Sequence, residues 1–85
     1  MNIDVVREFV VREFLPGQDP QTLPADQPLI SSGVIDSVGT LRLTLFLEET
    51  FQIEITAEDI SSGRLDSLSA ISELVERKRA PSTGS

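Results

Sequence analysis

The chain has 85 residues, no Cys and no His, and seven Lys and Arg against fourteen Asp and Glu, for a net charge of −7. This length makes one small domain with a modest core. The missing Cys and His exclude disulfides, thiolate or imidazole metal sites and any Ser-His-Asp or Cys-His nucleophile within the chain, while the acidic balance argues against nucleic-acid phosphates as a partner.

An acidic surface suits encounter with basic protein surfaces, and it equally serves solubility. No apolar run approaches the ~20 residues of a membrane span, and the N-terminus has no signal-peptide pattern, so a cytoplasmic protein is expected. No EF-hand spacing is present, and no metal site or catalytic residue is expected.

Residues 2–15 predict an amphipathic helix capped by Asn2. Ile3, Val6, Val10 and Phe14 share one face, widened by Val5, Phe9 and Leu15, and Pro16-Gly17 stops the helix. Residues 16–35 form a long loop, because prolines at 16, 20, 24 and 28 preclude a helix there. Leu23, Leu29 and Ile30 are its expected anchors to the core.

Residues 37–51 predict a second helix, capped by Asp36 or Ser37. It carries two apolar stripes. Leu43, Phe46, Leu47 and Phe51 make one; Val38, Leu41 and Leu45 make the other. A domain this small cannot bury a helix all round, so the second stripe is expected to face a partner. Thr56 with Asp59 three residues on predicts a capping box and one short helical turn. Residues 67–79 predict the last helix, with Leu68, Ile71, Leu74 and Val75 inward and Arg77-Lys78-Arg79 at the end favoured by the helix dipole. The expected fold is all-α.

One octapeptide occurs twice. Ser31-Ser32-Gly33-Val34-Ile35-Asp36-Ser37-Val38 returns as Ser61-Ser62-Gly63-Arg64-Leu65-Asp66-Ser67-Leu68, with five of eight positions identical. In both copies a glycine relaxes the backbone, an aliphatic residue pins the loop and Asp-Ser caps the next helix. Local pattern does not separate the two serines; context favours Ser37. Ser37 follows a long loop and opens the helix with the spare apolar stripe, whereas only eighteen residues follow Ser67. With no His to act as base, Ser37 is expected to be modified by another enzyme, and a helix N-terminus suits a phosphodiester.

The run Leu29-Ile30-x-x-Gly33-x-Ile35-Asp36-Ser37-Val38, followed by Leu41, Leu45, Leu47-Glu48-Glu49 and Phe51-x-Ile53-x-Ile55, resembles the acyl and peptidyl carrier proteins. The resemblance spans residues 3–79. It implies a four-helix bundle of the acyl-carrier type, with three main helices, one short helix and a long first loop. Residues 1–79 are expected to form the carrier domain and residues 80–85 a flexible tail, and a monomer is expected. It makes Ser37, flanked by Asp36, the attachment residue for 4'-phosphopantetheine, which a phosphopantetheinyl transferase takes from coenzyme A. Val38, Leu41 and Leu45, with Arg42, Glu48 and Glu49, match the face that partner enzymes grip. Ser67 matches the ordinary cap of the last helix.

Many fatty-acid carriers have an acid where this chain has Arg42, and another where it has Gly39. Asp36-Ser37-Val38-Gly39-Thr40 is similar to free-standing carriers loaded by a separate adenylating ligase, including D-alanyl carriers. The implied role is a discrete acyl or aminoacyl carrier, not itself an enzyme, that delivers cargo to a downstream synthase or transferase. Phe46 is expected to narrow any acyl cavity between helices. The alternatives are a type II fatty-acid or polyketide synthase carrier and, from another class, an unmodified acidic helical adaptor.

Overall fold

The computed structural model describes residues 2–79, so the expected tail at 80–85 lies outside the described residues. Four helices follow in chain order: α1 (Asn2–Phe14), α2 (Ser37–Phe51), α3 (Ala57–Ser61) and α4 (Leu68–Arg79). No helix among the described residues is long and apolar enough to cross a membrane.

Helix α1 packs most extensively on α4 and also contacts α2. It already includes Asn2, the expected cap, and the position ahead of it lies outside the described residues. Its buried face differs from the periodicity by two residues. Val11 is buried and Val5 is exposed. The long loop is not wholly irregular. Pro20–Thr22 form a 3-10 turn that folds against α1, and Pro20 and Val11 line one surface cleft. Asp19 starts this turn by accepting the Gln21 N–H at 3.0 Å, and Pro20 takes the first position, where no N–H is needed. Leu23 and Leu29 are buried as anchors, and Ile30 is half-buried.

Helix α2 buries Leu43, Leu47 and Phe51. Phe46 is only half-buried; its ring stacks on Phe9 at 4.0 Å between centroids, and Phe9 meets Phe14 edge-on at 6.1 Å. Thr40 and Thr44 are also buried, which the apolar pattern does not anticipate. Their hydroxyls donate to the carbonyls of Asp36 and Thr40 at 2.9 and 2.8 Å, so both enter the core paired.

Helix α3 opens on the expected capping box between Thr56 and Asp59. Asp59 does more than cap. It is 4% exposed, and its carboxylate also accepts from Lys78 Nζ at 2.6 Å and Arg64 Nη1 at 3.3 Å. Lys78 further donates to the Glu54 carbonyl at 2.6 Å, so this cation ties α4 to α3 and does not merely complement the helix dipole. The Lys78 hydrogen bond, followed by the Thr56 N–H, holds the Asp59 carboxyl well below the ordinary carboxylate range although burial pushes the other way. Leu65, Leu68, Ile71, Leu74 and Val75 complete the core.

Candidate functional site

The first octapeptide turns at Gly33, whose φ of +89° suits a residue without a Cβ and whose N–H reaches the Ile30 carbonyl at 3.1 Å. Ile35 is buried, and its N–H donates to the Leu29 carbonyl at 2.9 Å. Asp36 is then the cap of α2. Its Oδ1 accepts the Gly39 N–H at 2.7 Å, and its carbonyl accepts the Thr40 N–H at 2.7 Å. Ser37 is the first residue of the helix. It is exposed, and its hydroxyl makes no hydrogen bond among the described residues. The N–H groups of Ser37 and Val38, orphaned by their place in the first turn, likewise have no partner among the described residues.

The second octapeptide makes the same turn. Gly63 has φ +83°, and its N–H reaches the Ile60 carbonyl at 3.2 Å. The helix that follows starts one residue later. Ser67, half-buried, is the cap: its Oγ accepts the Ala70 N–H at 3.1 Å, and its carbonyl accepts the Ile71 N–H at 2.9 Å. Asp66 takes no part in capping, which corrects the expectation that Asp-Ser does the same task in both copies. Asp66 Oδ1 accepts from the backbone N–H groups of Ile30, Ser31 and Leu29 at 2.6, 2.9 and 3.1 Å. Its Oδ2 accepts the Ser31 hydroxyl at 2.7 Å. Burial raises the Asp66 pKa, but the donors from Ser31, Ile30 and Leu29 outweigh it and leave the carboxyl below its ordinary value.

Between the end of the loop, the first turns of α2 and α3 lies an open groove of about 590 Å³, lined by Ile30, Ile35, Thr40, Leu41 and Ile60, with Asp36 and Ser37 at its edge. Phe46 does not line it. Val38, Leu41 and Leu45 run from this groove along α2 and are 63, 60 and 52% exposed. Arg42 is exposed and pairs with Glu13 of α1 at 3.5 Å. Glu49 is exposed. Glu48 is half-buried, and its Oε2 accepts the Ile55 N–H at 2.9 Å, so that carboxylate also holds the chain leaving α2. Gly39 has a steric reason: a Cβ there would stand 2.6 Å from the Phe14 ring and 3.1 Å from the capping oxygen of Asp36.

The arrangement offers an exposed hydroxyl that the chain itself has no His to activate, two adjacent N–H donors suited to a phosphate, and a largely apolar groove for an extended arm. Thr40 and Ile60 line the groove and Asp66 holds the loop beside it, places that the sequence reading gave to none of the three. The repeat contained the signal for Asp66: once Ser67 caps α4, the aspartate beside it is spare.

A family model described as the phosphopantetheine attachment site matches residues 10–76. The fold is similar to that of a holo acyl carrier protein from Nitrosomonas europaea solved by solution NMR, with a TM-score of 0.78 at 23% identity over 95% of this chain and 99% of that one. It is also similar to KstB-PCP in its apo form, with a TM-score of 0.66 at 32% identity over 87% of this chain and 81% of that one. No curated protein sequence matches the chain.

Proposed function

The chain belongs to the phosphopantetheine-attachment family of carrier proteins, and from that premise we propose that Ser37 is its attachment residue and residues 1–79 its carrier domain. A carrier of this family is not itself a catalyst; its 4'-phosphopantetheine supplies the thiol that holds an acyl or aminoacyl group as a thioester. The chain's own contribution is to expose the Ser37 hydroxyl, to offer the Ser37 and Val38 N–H groups to the phosphate, and to keep α2 rigid below them. Attachment replaces the Ser37 O–H bond by an O–P bond and breaks the pyrophosphate P–O bond of coenzyme A, so that adenosine 3',5'-bisphosphate leaves. The departing proton goes to a base of the phosphopantetheinyl transferase, because this chain has no His.

The observation that carries the choice of serine is the difference in hydroxyl use. Ser67 Oγ is occupied as a cap in a half-buried position, while Ser37 Oγ is exposed and unbonded at the start of the helix with the exposed stripe. Incubation with coenzyme A and a broad-specificity phosphopantetheinyl transferase, followed by intact mass measurement, tests it. One phosphopantetheinyl group is expected on the wild type and on Ser67→Ala, and none on Ser37→Ala. A gain that survives Ser37→Ala overturns the assignment.

The partner face in this reading is Val38, Leu41 and Leu45, bordered by Arg42, Glu48 and Glu49. Asp36-Ser37-Val38-Gly39-Thr40 and the likeness to KstB-PCP support loading by a separate adenylating ligase, with a downstream synthase or transferase as recipient. Leu41→Glu places a charge on an already solvated position. It should shift stability by less than about 0.5 kcal/mol while lowering loading of the holo form by that ligase. Loading at the wild-type rate would remove Leu41 from the docking face.

A further inference from the structure

The second octapeptide bears no attachment serine in this reading, yet its aspartate reaches the segment that leads to Ser37. Four donors from three consecutive residues converge on Asp66 across 35 to 37 positions of sequence. Three successive N–H groups on one carboxylate oxygen fix the backbone of all three residues, and bonds to a charged acceptor are the stronger kind.

Asp66 is itself well founded. Leu65 and Leu68 on either side are fully buried, the Leu29 N–H also reaches the Asp66 carbonyl at 2.7 Å, and the Ser69 N–H reaches the Ala25 carbonyl at 2.8 Å. From the clamped residues the constraint passes to Ser37 in short steps. The Leu29 carbonyl accepts the Ile35 N–H, closing residues 29–35 into a loop, and Ser32 Oγ closes on the Pro28 carbonyl at 2.7 Å. Ile35 is buried, Asp36 caps α2, and Ser37 follows. Ile30, Gly33 and Ile35 of the same loop line the groove.

We infer that Asp66 is a positioning residue for the modification of Ser37: its carboxylate holds Leu29–Ser31 and thereby presents Ser37 and one wall of the groove to the phosphopantetheinyl transferase in a single geometry. The inference rests on Ser37 being the attachment residue. The repeat then has a division of labour, in which one copy offers the serine and the other copy's aspartate braces it.

Steady-state modification of the full-length apo protein tests this, with Asp66→Asn, Asp66→Ala and the core control Val75→Ala assayed well below their melting temperatures. Asp66→Ala is expected to lower kcat/KM for the carrier by about tenfold, as misplacement of a reacting group does. The loss should come mainly through kcat, because the exposed stripe on α2 is unchanged. Asp66→Asn retains a neutral acceptor and should lose about threefold. Amide exchange at Leu29, Ile30 and Ser31 should accelerate in the same order. Val75→Ala should lose stability with kcat unchanged. Wild-type kcat/KM in both Asp66 variants overturns the inference, and Asp66→Asn decides if Asp66→Ala does not fold. Ser37→Ala in the same assay keeps the two readings apart. Modification that survives it defeats the attachment assignment, whereas wild-type rates in the Asp66 variants with no modification of Ser37→Ala defeat only the role of Asp66.

Discussion

The two octapeptides make the same turn at their glycine and bury the same aliphatic position, yet they start their helices one residue apart. In the first, Asp36 caps α2 and Ser37 is left with a bare hydroxyl; in the second, Ser67 caps α4 and Asp66 is free to reach another part of the chain. Asp-Ser is therefore a device with two valid caps. Which residue caps depends on whether something else claims the aspartate. Near Asp66 three N–H groups of the long loop converge. Asp36 has no such donors and falls back on its own helix.

The contrast is open to measurement. The largest expected effect separates the two aspartates. Asp66→Ala leaves the Ile30 and Ser31 N–H groups and the Ser31 hydroxyl without their acceptor, while the Leu29 N–H keeps the Asp66 carbonyl; it should cost about 3 kcal/mol, whereas Asp36→Ala loses one cap bond and should cost about 1 kcal/mol. Urea titrations followed by circular dichroism check the order, and equal losses would erase the distinction.

Acid should act in the same direction more gently, since protonation leaves the carboxyl group in place. Asp59 and Asp66 are both held below their ordinary pKa in the folded protein, so in this range the unfolded chain binds more protons. The stability they contribute is fully present above the unfolded carboxylate value of roughly 4 and is lost as pH falls through the folded values. Denaturant midpoints between neutral pH and strong acid should decline accordingly, and Asp66→Ala should flatten the decline. An unchanged slope in that variant would mean that Asp66 carries no pH-linked stability.

The smallest difference lies between the serines. Ser67→Ala removes a cap and should cost about 1 kcal/mol, while Ser37→Ala removes an exposed, unbonded hydroxyl and should stay within about 0.5 kcal/mol. Thermal melts of the pair would contradict this assignment of caps if Ser37→Ala were the more damaging.

Much of the fold was legible because it rests on interactions within one turn. The 3.6-residue spacing of Leu68, Ile71, Leu74 and Val75 marks the buried face of α4, and Thr56 three residues before Asp59 marks the start of α3. The excess apolar residues on α2 marked Val38, Leu41 and Leu45 as a second stripe, and these residues are exposed. Misplaced features have different origins. Val11 is buried on the helix that the 3-10 turn of the long loop packs against, and Thr40 and Thr44 enter the core because their hydroxyls bond to carbonyls one turn back. Lys78 passed for a dipole complement because its partner Asp59 lies nineteen positions away. Around Ser37 the outline was readable, but the groove wall contributed by Ile60 was not, because α3 reaches it only through the packing of the bundle.

The sequence by itself determined the helices, the loop anchors, the unpartnered stripe and the family pattern around Asp36-Ser37, since periodicity and capping depend on residues a few positions apart. Only the tertiary structure decided which member of each Asp-Ser pair caps. That choice depends on the three N–H groups at Leu29–Ser31, which the folding of the long loop against the start of α4 brings to Asp66 from more than thirty positions away.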